Sequence, residues 1–480
     1  MKRFCTYLLL TLTTVTLLFS QPRTEQAKNI EVNYKTGNYN NTQSVLNSSD
    51  ITSALIEINN MYRYLSANYL YDIDVEKVKE SLASGLMNGL DDEYSYYVSP
   101  DDSEKYMENA QGEYVGIGTY LSKMNKNFID VEDYTTYMVQ IVSPFPGGPA
   151  DRAGIKPHDY ISHIDGESVM NMSANEASNK IKGKEGEPVT LTVVRGDSTF
   201  DITLKREKVT TPNLVHGMVT EKIGYIFFYD FNMQTNKLFE NAIEELKKQG
   251  MTSLIIDLRN NGGGTVDSSL KIADDLLDDC VLITVKYKEG SYNPPVRYIA
   301  TKGILLDKNF PIVVLTNGGT ASASEILTAA LKDNNRATVI GDQTFGKGIM
   351  QKVVEFMGSY IQFTYAHYIT PSGNDIHKVG ITPDIIIEEA EYSSEELQAY
   401  AKFLNSDKVK EFKCLHPDYA IDNIELFATE NKDSNVPEEL LKLMMRNEYI
   451  YDMDFDKRPI ADTHYDEVLK RAIQYLEEGV

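Results

Sequence analysis

The stretch from Pro311 to Gln351 constrains the fold of this chain more than any other. An apolar run from Ile312 to Leu315 ends at an Asn-Gly-Gly turn, and small residues around Ser322 then lead into a second apolar sequence. This order predicts a buried strand, a glycine turn and the start of a helix. A further apolar run from Ala337 to Ile340 leads to Lys347, which lies between two glycines. The stretch therefore predicts an α/β unit with a serine at a helix N-terminus and a lysine on a turn.

The charge balance of the chain excludes several kinds of partner. Its 480 residues carry a formal charge of −24 at pH 7, with 42% hydrophobic and 25% charged residues. This composition is that of a globular protein, and the length predicts two to four folded units. Because acidic surfaces repel phosphate groups, we expect neither nucleic acid nor an anionic membrane surface as a partner.

The amino terminus has the pattern of a secretory signal peptide. Two basic residues precede an apolar stretch from Tyr7 to Phe19, which is short for a membrane-spanning helix. We predict a signal peptide over residues 1–21 and an exported protein that is periplasmic or associated with the cell envelope, and membrane-anchored if the segment is retained. Export leaves Cys280 and Cys414, and the sequence leaves open whether they pair.

The rest of the chain divides into segments of different pattern. Short apolar runs predict a compact β-rich module, and strands that alternate with helices from Thr210 onward predict a mixed sheet flanked by helices. The predicted fold class is a multidomain α+β protein. The predicted segments are a linker at 22–50, an N-terminal helical region at 51–111, the β-rich module at 112–206, the α/β unit at 207–390 and a helical C-terminal extension at 391–480.

Lys347 lies in a near match to a phosphate-binding loop. That loop needs a serine or threonine after the lysine, to hold Mg²⁺, and then a helix. Gly348 and a β-branched run follow instead, so the sequence argues against a nucleotide site. Two interpretations remain. The lysine is either a surface residue of a turn, or a base whose pKa is lowered by burial from its usual value of about 10.4.

Ser322 has a structural and a catalytic interpretation. With Glu325 three residues later it forms the pattern of a capping box, in which the serine only begins a helix. The same position offers unpaired amides and partial positive charge, which would stabilise an oxyanion beside a nucleophilic serine. Of the seven histidines, only His367 and His377 lie near these motifs, and neither has an acidic partner in the pattern. A lysine can serve as the base if burial lowers its pKa.

A second glycine-rich turn follows a predicted buried strand. Gly262-Gly263-Gly264 could bring backbone amides close to a ligand or could only turn the chain from strand to helix. We expect Asp257 and Arg259 beside it to form a structural ion pair, and Asp333 to end or cap a helix. The chain has no metal-binding pattern, and we predict neither a metal nor another cofactor.

Taken together, these motifs resemble those of the carboxyl-terminal processing peptidases, also called tail-specific proteases. The segments LIIDLRNNGGG, TASASEILTAALKDNNRA and TFGKGIMQ are similar to the family's glycine turn, nucleophile segment and general-base segment, in the family's order. Upstream, GEYVGIG and GGPADRAGIKPHDYISHIDGESV are similar to a PDZ domain inserted between a helical lead-in and the catalytic domain. The resemblance covers roughly residues 51–390 and the terminal helix near 462–478.

The resemblance assigns catalytic roles to particular residues of this chain. Ser322 corresponds to the nucleophile, with Ser324 as its rival, and Lys347 corresponds to the general base. Gln351, four positions later, would orient the lysine by a hydrogen bond.

The same resemblance assigns two sets of backbone amides. The amides of Ala323 and of Gly263 or Gly264 would form the oxyanion hole. The carboxylate-binding loop of the PDZ domain matches four residues, Val115, Gly116, Ile117 and Gly118. A substrate peptide would add to this domain as a strand.

The function implied by the resemblance is that of a serine endopeptidase. It would recognise the C-terminal tails of exported proteins and cleave peptide bonds through an acyl-enzyme. The partners would be protein or peptide substrates with free C-termini, together with an activating or adaptor protein; the oligomeric state is not predicted. The alternative is a catalytically silent PDZ scaffold or adaptor in the same compartment. Two departures from the family are Gly262, where proline is common, and the long segment at 391–460.

Overall fold

The structure is a computed structural model that describes residues 48–123, 137–145, 147–291, 293–301, 303–356, 358–388, 390, 392–404, 406–451, 453 and 457–479. The predicted signal peptide and the predicted linker, except for its last three residues at 48–50, lie outside the described residues.

Helices dominate both ends of the described chain and alternate with strands between them. In chain order they are α1 (Ser48–Asn68), α2 (Val75–Asn88), α3 (Pro100–Gln111), α4 (Pro149–Arg152), α5 (Ala174–Ile181), α6 (Thr235–Lys248), α7 (Val266–Leu276), α8 (Ala323–Asp333), α9 (Ser394–Leu404), α10 (Lys408–Leu415), α11 (Ile421–Glu430), α12 (Glu438–Tyr451) and α13 (Glu467–Glu477).

The strands lie between α2 and α9. In chain order they are β1 (Tyr96–Val98), β2 (Glu113–Gly116), β3 (Thr119–Ser122), β4 (Val139–Pro144), β5 (Tyr160–Ile164), β6 (Glu167–Ser168), β7 (Pro188–Arg195), β8 (Ser198–Lys205), β9 (Glu207–Thr210), β10 (Leu214–Met218), β11 (Ile223–Phe228), β12 (Ser253–Asp257), β13 (Val281–Tyr287), β14 (Val296–Ile299), β15 (Ile312–Thr316), β16 (Thr338–Gly341), β17 (Ile349–Phe356), β18 (Ser359–Ile369) and β19 (Ile385–Ile386).

The described chain separates into two compact units. The smaller unit holds residues 48–106 and 351–365. Within it, β1 pairs antiparallel with the first half of β18, and β17 pairs with the same strand. Asp74 begins α2 because its carboxylate accepts hydrogen bonds from the first amides of the helix. The Tyr106 hydroxyl donates to Oε1 of Gln362 at 2.8 Å, which ties the end of the helical segment to β18.

The β-rich module belongs to the larger unit, which holds residues 107–350 and 366–479. Its sheet has the order β3-β4-β5-β7-β8 with antiparallel pairs, and β6 pairs with β5. Alternate residues of β7, such as Val189 and Leu191, are buried in the core that α5 closes. Within this sheet β3 lies at the edge, next to α5.

The α/β unit contains a mixed sheet in the order β10-β11-β12-β15-β16-β19. β10 is antiparallel to β11, and the other neighbours are parallel. Helices α6, α7 and α8 pack on one face of the sheet, against residues such as Ile256 and Val314. Helix α13 packs on the other face, against Ile255 and Val313. The central strands are apolar on both faces because helices cover both.

An ion pair beside the glycine turn connects the sheet with the terminal helix. The Arg259 guanidinium contacts the carboxylates of Asp257 and Asp466, each at 2.6 Å. This confirms the predicted pair of Asp257 and Arg259 and adds the N-cap residue of α13. Asp333 ends α8, and its carboxylate accepts hydrogen bonds from the amide and hydroxyl of Ser372 at 2.9 and 2.5 Å.

Helices α9 to α12 form an apolar core of their own, with Leu404, Phe427 and Met444 among its buried residues. The predicted fold class is confirmed: the protein is a multidomain α+β chain with helical terminal regions, a β-rich module and a mixed sheet flanked by helices. Cys280 and Cys414 are both free thiols. Within the described residues, no helix is long and apolar enough to cross a membrane, and no group of side chains is arranged to hold a metal ion.

Candidate active site

Three turns of the larger unit lie at one edge of the mixed sheet. β12, β15 and β16 are neighbours that run in the same direction, so their carboxyl ends share that edge. The turn with Gly263 follows β12, the turn with Ser322 follows β15, and the segment with Lys347 follows β16. Ligands of α/β sheets bind outside the carboxyl ends of the strands, so these turns lie where a ligand is expected.

The turn at Ser322 is strained. Ser322 has φ 57° and ψ −116° and immediately precedes the first residue of α8. A non-glycine residue in this conformation costs about 1–3 kcal/mol, so the surrounding structure must hold it there. Sharp strand-to-helix turns of this kind present a serine hydroxyl at the N-terminus of a helix. The side chain is buried, with 2% of its surface exposed.

One buried carboxylate connects the serine turn with the lysine segment. Oε2 of Glu325 accepts hydrogen bonds from the amides of Ser322 at 2.9 Å and Lys347 at 2.8 Å. Oε1 accepts from the Gly346 amide at 2.8 Å and the Thr344 hydroxyl at 2.6 Å. Burial raises the pKa of Glu325, and the four hydrogen bonds oppose that rise. Because donors from both segments bind one side chain, Glu325 fixes the two segments relative to each other.

A buried tyrosine makes a second connection between the same two residues. The Tyr368 hydroxyl lies 2.8 Å from the carbonyl oxygen of Lys347 and 3.2 Å from that of Ser322. Burial raises the pKa of this phenol well above its usual value, so the group stays protonated. The amides of Ser322 and Lys347 are thus bound by Glu325, and their carbonyls by Tyr368.

Lys347 itself is buried, with 6% of its surface exposed. β17 begins at Ile349, so a strand follows the lysine where a phosphate-binding loop would have a helix. The strand agrees with the β-branched run that follows the lysine in the sequence. The backbone packs closely here, because a Cβ atom added at Gly348 would lie 2.6 Å from the amide nitrogen of His377.

Gly263 lies directly against the serine turn. Its φ is +98°, and an added Cβ atom would lie 2.8 Å from the Cβ atom of Ser322 and 2.8 Å from the amide nitrogen of Ala323. Only glycine fits this position. The Gly263 amide donates to Oδ1 of Asn261 at 2.8 Å, so in this structure it is already engaged.

The other two predicted oxyanion donors differ in their surroundings. Ala323 is the first residue of α8, so its amide has no carbonyl partner within its own helix. Gly264 forms an isolated bridge with Phe231. In that bridge the Phe231 amide donates to the carbonyl oxygen of Gly263 at 3.0 Å, and the Thr265 amide donates to the carbonyl oxygen of Phe231 at 2.7 Å. The amide of Gly264 takes no part in either bond.

The two candidate serines differ in their places relative to α8. The Ser324 hydroxyl donates to the carbonyl oxygen of Asn261 at 2.9 Å, and the residue is fully buried within α8. Ser322 lies on the strained turn before the helix. The hydrogen bond of Ser324 links the serine turn to the glycine turn, which is a structural role.

The histidines near the site form a pair of their own. The ring centroids of His367 and His377 lie 5.4 Å apart, and Nδ1 of His367 lies 3.2 Å from Asp375. The structure thus supplies the acidic partner that the sequence pattern lacked. Because consecutive residues of a strand point to opposite faces, His367 points away from the face on which Tyr368 contacts Ser322. This geometry disfavours His367 as the base.

Gln351 belongs to the smaller unit and is fully buried. Its Nε2 donates to the Thr364 hydroxyl at 3.2 Å. Its Oε1 has no hydrogen-bond partner among the described residues. The orienting role of Gln351 stays a prediction.

The predicted carboxylate-binding loop begins in β2 with Val115 and Gly116 and continues through Ile117 and Gly118, which lie between β2 and β3. β2 ends at Gly116, and the chain then passes to the edge strand β3. The carbonyl oxygens of Ile117 and Gly118 accept hydrogen bonds from the amides of Ala150 at 2.8 Å and Phe145 at 2.9 Å. Val115 lies within β2, opposite a residue of β9.

Comparison with known proteins identifies the family. The model of peptidase family S41 matches residues 222–387, and a PDZ-domain model matches residues 140–195. A CtpA-like serine protease of Staphylococcus aureus (strain COL) is 34% identical over 352 residues, which cover 73% of this chain and 68% of the relative. The chain belongs to peptidase family S41. It is a serine-type peptidase with a PDZ domain, as the resemblance implied.

Further relatives agree with this assignment. A CtpA-like serine protease of Staphylococcus saprophyticus is 33% identical over 348 residues, which cover 72% of this chain and 68% of the relative. The structure of the photosystem II D1 C-terminal processing protease shares 30% identity, covers 72% of this chain and 90% of that one, and has a TM-score of 0.39. An S41 protease from Bacteroides fragilis shares 15% identity, covers 86% and 99%, and has a TM-score of 0.43. Because both TM-scores lie below 0.5, the family assignment rests on sequence.

Sequence reasoning missed several groups at this site. Glu325 was assigned only to a helix cap, and neither Asn261 nor Tyr368 was singled out. A signal for Glu325 existed, because it is the one charged residue in a segment of small and apolar residues from Thr320 to Leu331. Tyr368 gave no such signal, since it is one of many aromatic residues in an apolar strand.

Proposed function

We propose that this protein is a serine endopeptidase that uses Ser322 as the nucleophile and Lys347 as the general base. Gln351 orients the lysine, and the PDZ domain binds the C-terminal tails of exported proteins. The finding that supports this proposal most is the Glu325 carboxylate, which binds the amides of both Ser322 and Lys347. A side chain that only capped a helix would have no need to reach the lysine segment.

The oxyanion hole consists of the Ala323 amide and an amide of the glycine turn. The Ala323 amide begins α8, where the helix dipole adds partial positive charge. Gly264 is the better second donor in this structure, because the Gly263 amide is bound by Asn261. The strain at Ser322 supports the same assignment, since strained residues cluster at functional sites.

The reaction follows from these roles. A neutral Lys347 amine takes the proton of the Ser322 hydroxyl while the oxygen attacks the carbonyl carbon of the scissile peptide bond. The amides stabilise the negative oxygen of the tetrahedral intermediate. Collapse of that intermediate releases the new amino terminus, which takes the proton from Lys347. Water then attacks the acyl-enzyme while Lys347 accepts its proton. The second tetrahedral intermediate releases the new carboxyl terminus, and the departing Ser322 oxygen takes that proton back from Lys347.

The substrate reaches this site through the PDZ domain. The loop over residues 115–118 binds the terminal carboxylate of an exported protein, and the tail adds to the edge strand β3. The predicted signal peptide supports an exported location, periplasmic or at the cell envelope. An activating or adaptor protein would act at the same domain.

The second candidate function is a silent PDZ scaffold in the same compartment. It predicts that binding of a tail leads to no chemistry. The strained serine, the buried lysine and the carboxylate that joins them favour the peptidase, because a scaffold gains nothing from a strained residue.

The test compares two serine variants on an unfolded protein that ends in an apolar tail. Ser322→Ala should lose at least about a thousandfold of the cleavage rate, because it removes the nucleophile. Ser324→Ala should still cleave, with a modest loss from its missing hydrogen bond to Asn261. Cleavage by Ser322→Ala at the wild-type rate would exclude the assignment, and a wild-type protein that binds the tail without cleaving would favour the scaffold.

A further inference from the structure

The carboxylate-binding loop of the PDZ domain contacts a tyrosine from its own strand. Tyr114 lies on β2, and its ring covers Gly116, where an added Cβ atom would lie 2.7 Å from the ring carbon Cε2. The Tyr114 hydroxyl oxygen accepts a hydrogen bond from the amide of Thr119, the residue directly after the loop, at 3.4 Å. The phenol therefore lies against the loop at the position assigned to a substrate carboxylate.

The ring is held in this position from two further sides. Phe145 packs edge-on against it, with ring centroids 6.4 Å apart. The Lys182 ammonium lies 4.8 Å from the ring centroid and pairs with the carboxylate of Glu108. A cation over an aromatic face is attractive, so this pair clamps the ring over the loop. Burial raises the pKa of Tyr114 to about 12, so the phenol is neutral at pH 7.

A neutral phenol is a weaker hydrogen-bond acceptor for a backbone amide than a carboxylate is. Hydrogen bonds to an ionised acceptor are roughly twice as strong as those between neutral groups. We propose that Tyr114 is a specificity-determining residue of the PDZ domain, which covers the loop until the free carboxylate of a substrate tail displaces it. This inference rests on the proposed function, because the role of the loop as a carboxylate site comes from it.

Because a tail must displace Tyr114, its affinity for the open loop has to be high enough to offset that displacement. A ligand that needs the open loop binds with an apparent affinity reduced by the fraction of molecules in which the loop is open. A peptide that ends in an amide adds along β3 without taking the loop amides, so Tyr114 does not compete with it. Tyr114 thus lowers the affinity for tails with a free carboxylate, so that among these tails only those with enough further contacts displace the phenol.

The experiment measures peptide affinity in the full chain, with Ser322→Ala as the parent so that no cleavage occurs. Two ten-residue peptides with the same apolar tail are compared, one with a free carboxylate and one with a terminal amide. Tyr114→Phe keeps the ring and removes the hydroxyl, so it should bind the free-carboxylate peptide about fivefold more tightly and the amidated peptide unchanged. Tyr160→Phe is the matched control, because the same change on β5 lies between two protein strands, and it should alter neither affinity.

Equal or weaker binding of the free-carboxylate peptide by Tyr114→Phe would overturn the inference. If the parent and every variant bind both peptides equally, the carboxylate loop itself is wrong, and the inference is overturned with it. The catalytic part of the proposed function is judged separately by Ser322-dependent cleavage in the wild-type chain. A chain that fails to cleave but binds as predicted here would leave the role of Tyr114 supported.

Discussion

Two regions of the molecule have backbone amides that are bound by side chains: the turns with Ser322 and Lys347, and the loop of the PDZ domain. The acceptor is of a different kind in each region. The amides of Ser322 and Lys347 are bound by the buried carboxylate of Glu325. The amide of Thr119, directly after the PDZ loop, is bound by the neutral phenol of Tyr114 at the longer distance of 3.4 Å. A carboxylate with four donors holds its segments firmly, whereas a phenol with one donor can be replaced by a stronger acceptor. On the proposed function, this difference separates a rigid catalytic region from an exchangeable binding region.

The largest effect should come from filling the space between the glycine and serine turns. Gly263→Ala places a Cβ atom 2.7 Å from the Ala321 carbonyl oxygen and 2.8 Å from the Ala323 amide nitrogen. The backbone must move, so we expect kcat/KM to fall by about a thousandfold. Steady-state cleavage of the unfolded protein measures this change.

The control for that variant lies on the serine turn itself. Gly318→Ala adds the same atom at a position with no heavy atom within 4 Å. Its kcat/KM should stay within about twofold of the wild type. Equal losses for Gly263→Ala and Gly318→Ala would mean that the close contact of the two turns has no special importance.

Glu325→Gln tests whether the acceptor at the catalytic turns must be a carboxylate. The amide group of glutamine has one acceptor oxygen and would direct its NH₂ group at amides that need an acceptor. The serine and lysine segments should separate slightly, which should lower kcat by about a hundredfold. A variant with the wild-type kcat would show that Glu325 is only a helix cap.

The pH dependence of stability gives an independent check on Glu325. Its folded pKa is raised above 4.5, so between 4.5 and that raised value the folded chain binds more protons than the unfolded chain. The contribution of Glu325 to the free energy of unfolding therefore falls as pH rises through this window and is constant above it. Urea unfolding should show the wild type losing stability relative to Glu325→Gln as pH rises. The opposite trend would mean that the hydrogen bonds outweigh burial.

Tyr368→Phe should have a smaller effect in the same region. The variant keeps the buried ring and removes the hydroxyl that contacts the carbonyls of Ser322 and Lys347. Two buried acceptors lose a neutral donor, so we expect a loss of about 1–3 kcal/mol in the free energy of unfolding and about tenfold in kcat. If Tyr368→Phe lowered kcat more than Glu325→Gln does, Tyr368 and not Glu325 would be the more important connection between the serine and lysine segments.

Local patterns in the sequence predicted much of the catalytic region. The apolar run before Ser322 and the Asn-Gly-Gly turn predicted β15 and the start of α8, because both signals lie within a few residues. The contacts of Glu325 with Thr344 and of Tyr368 with Ser322 join residues far apart in the chain, so no local pattern contains them. The engagement of Gly263 by Asn261 depends on side-chain geometry within the turn, which composition does not reveal.

The PDZ loop likewise has a contact that local sequence patterns could not predict. The resemblance assigned the loop, but the position of Tyr114 over Gly116 follows from the packing of Phe145 and Lys182 around the ring. The predicted domain boundaries stay predictions, since the family models match only the inner parts of the β-rich module and the α/β unit.

The most direct test of the account maps the site of reaction with a serine-reactive fluorophosphonate. The wild-type chain is treated in the presence of a tail peptide and digested, and mass spectrometry locates the phosphonate. The account predicts that Ser322 carries the label, that Ser324→Ala keeps it, and that Glu325→Gln slows labelling. Label on Ser324, or no label on either serine, would contradict the claim that Glu325 joins Ser322 and Lys347 into one catalytic unit.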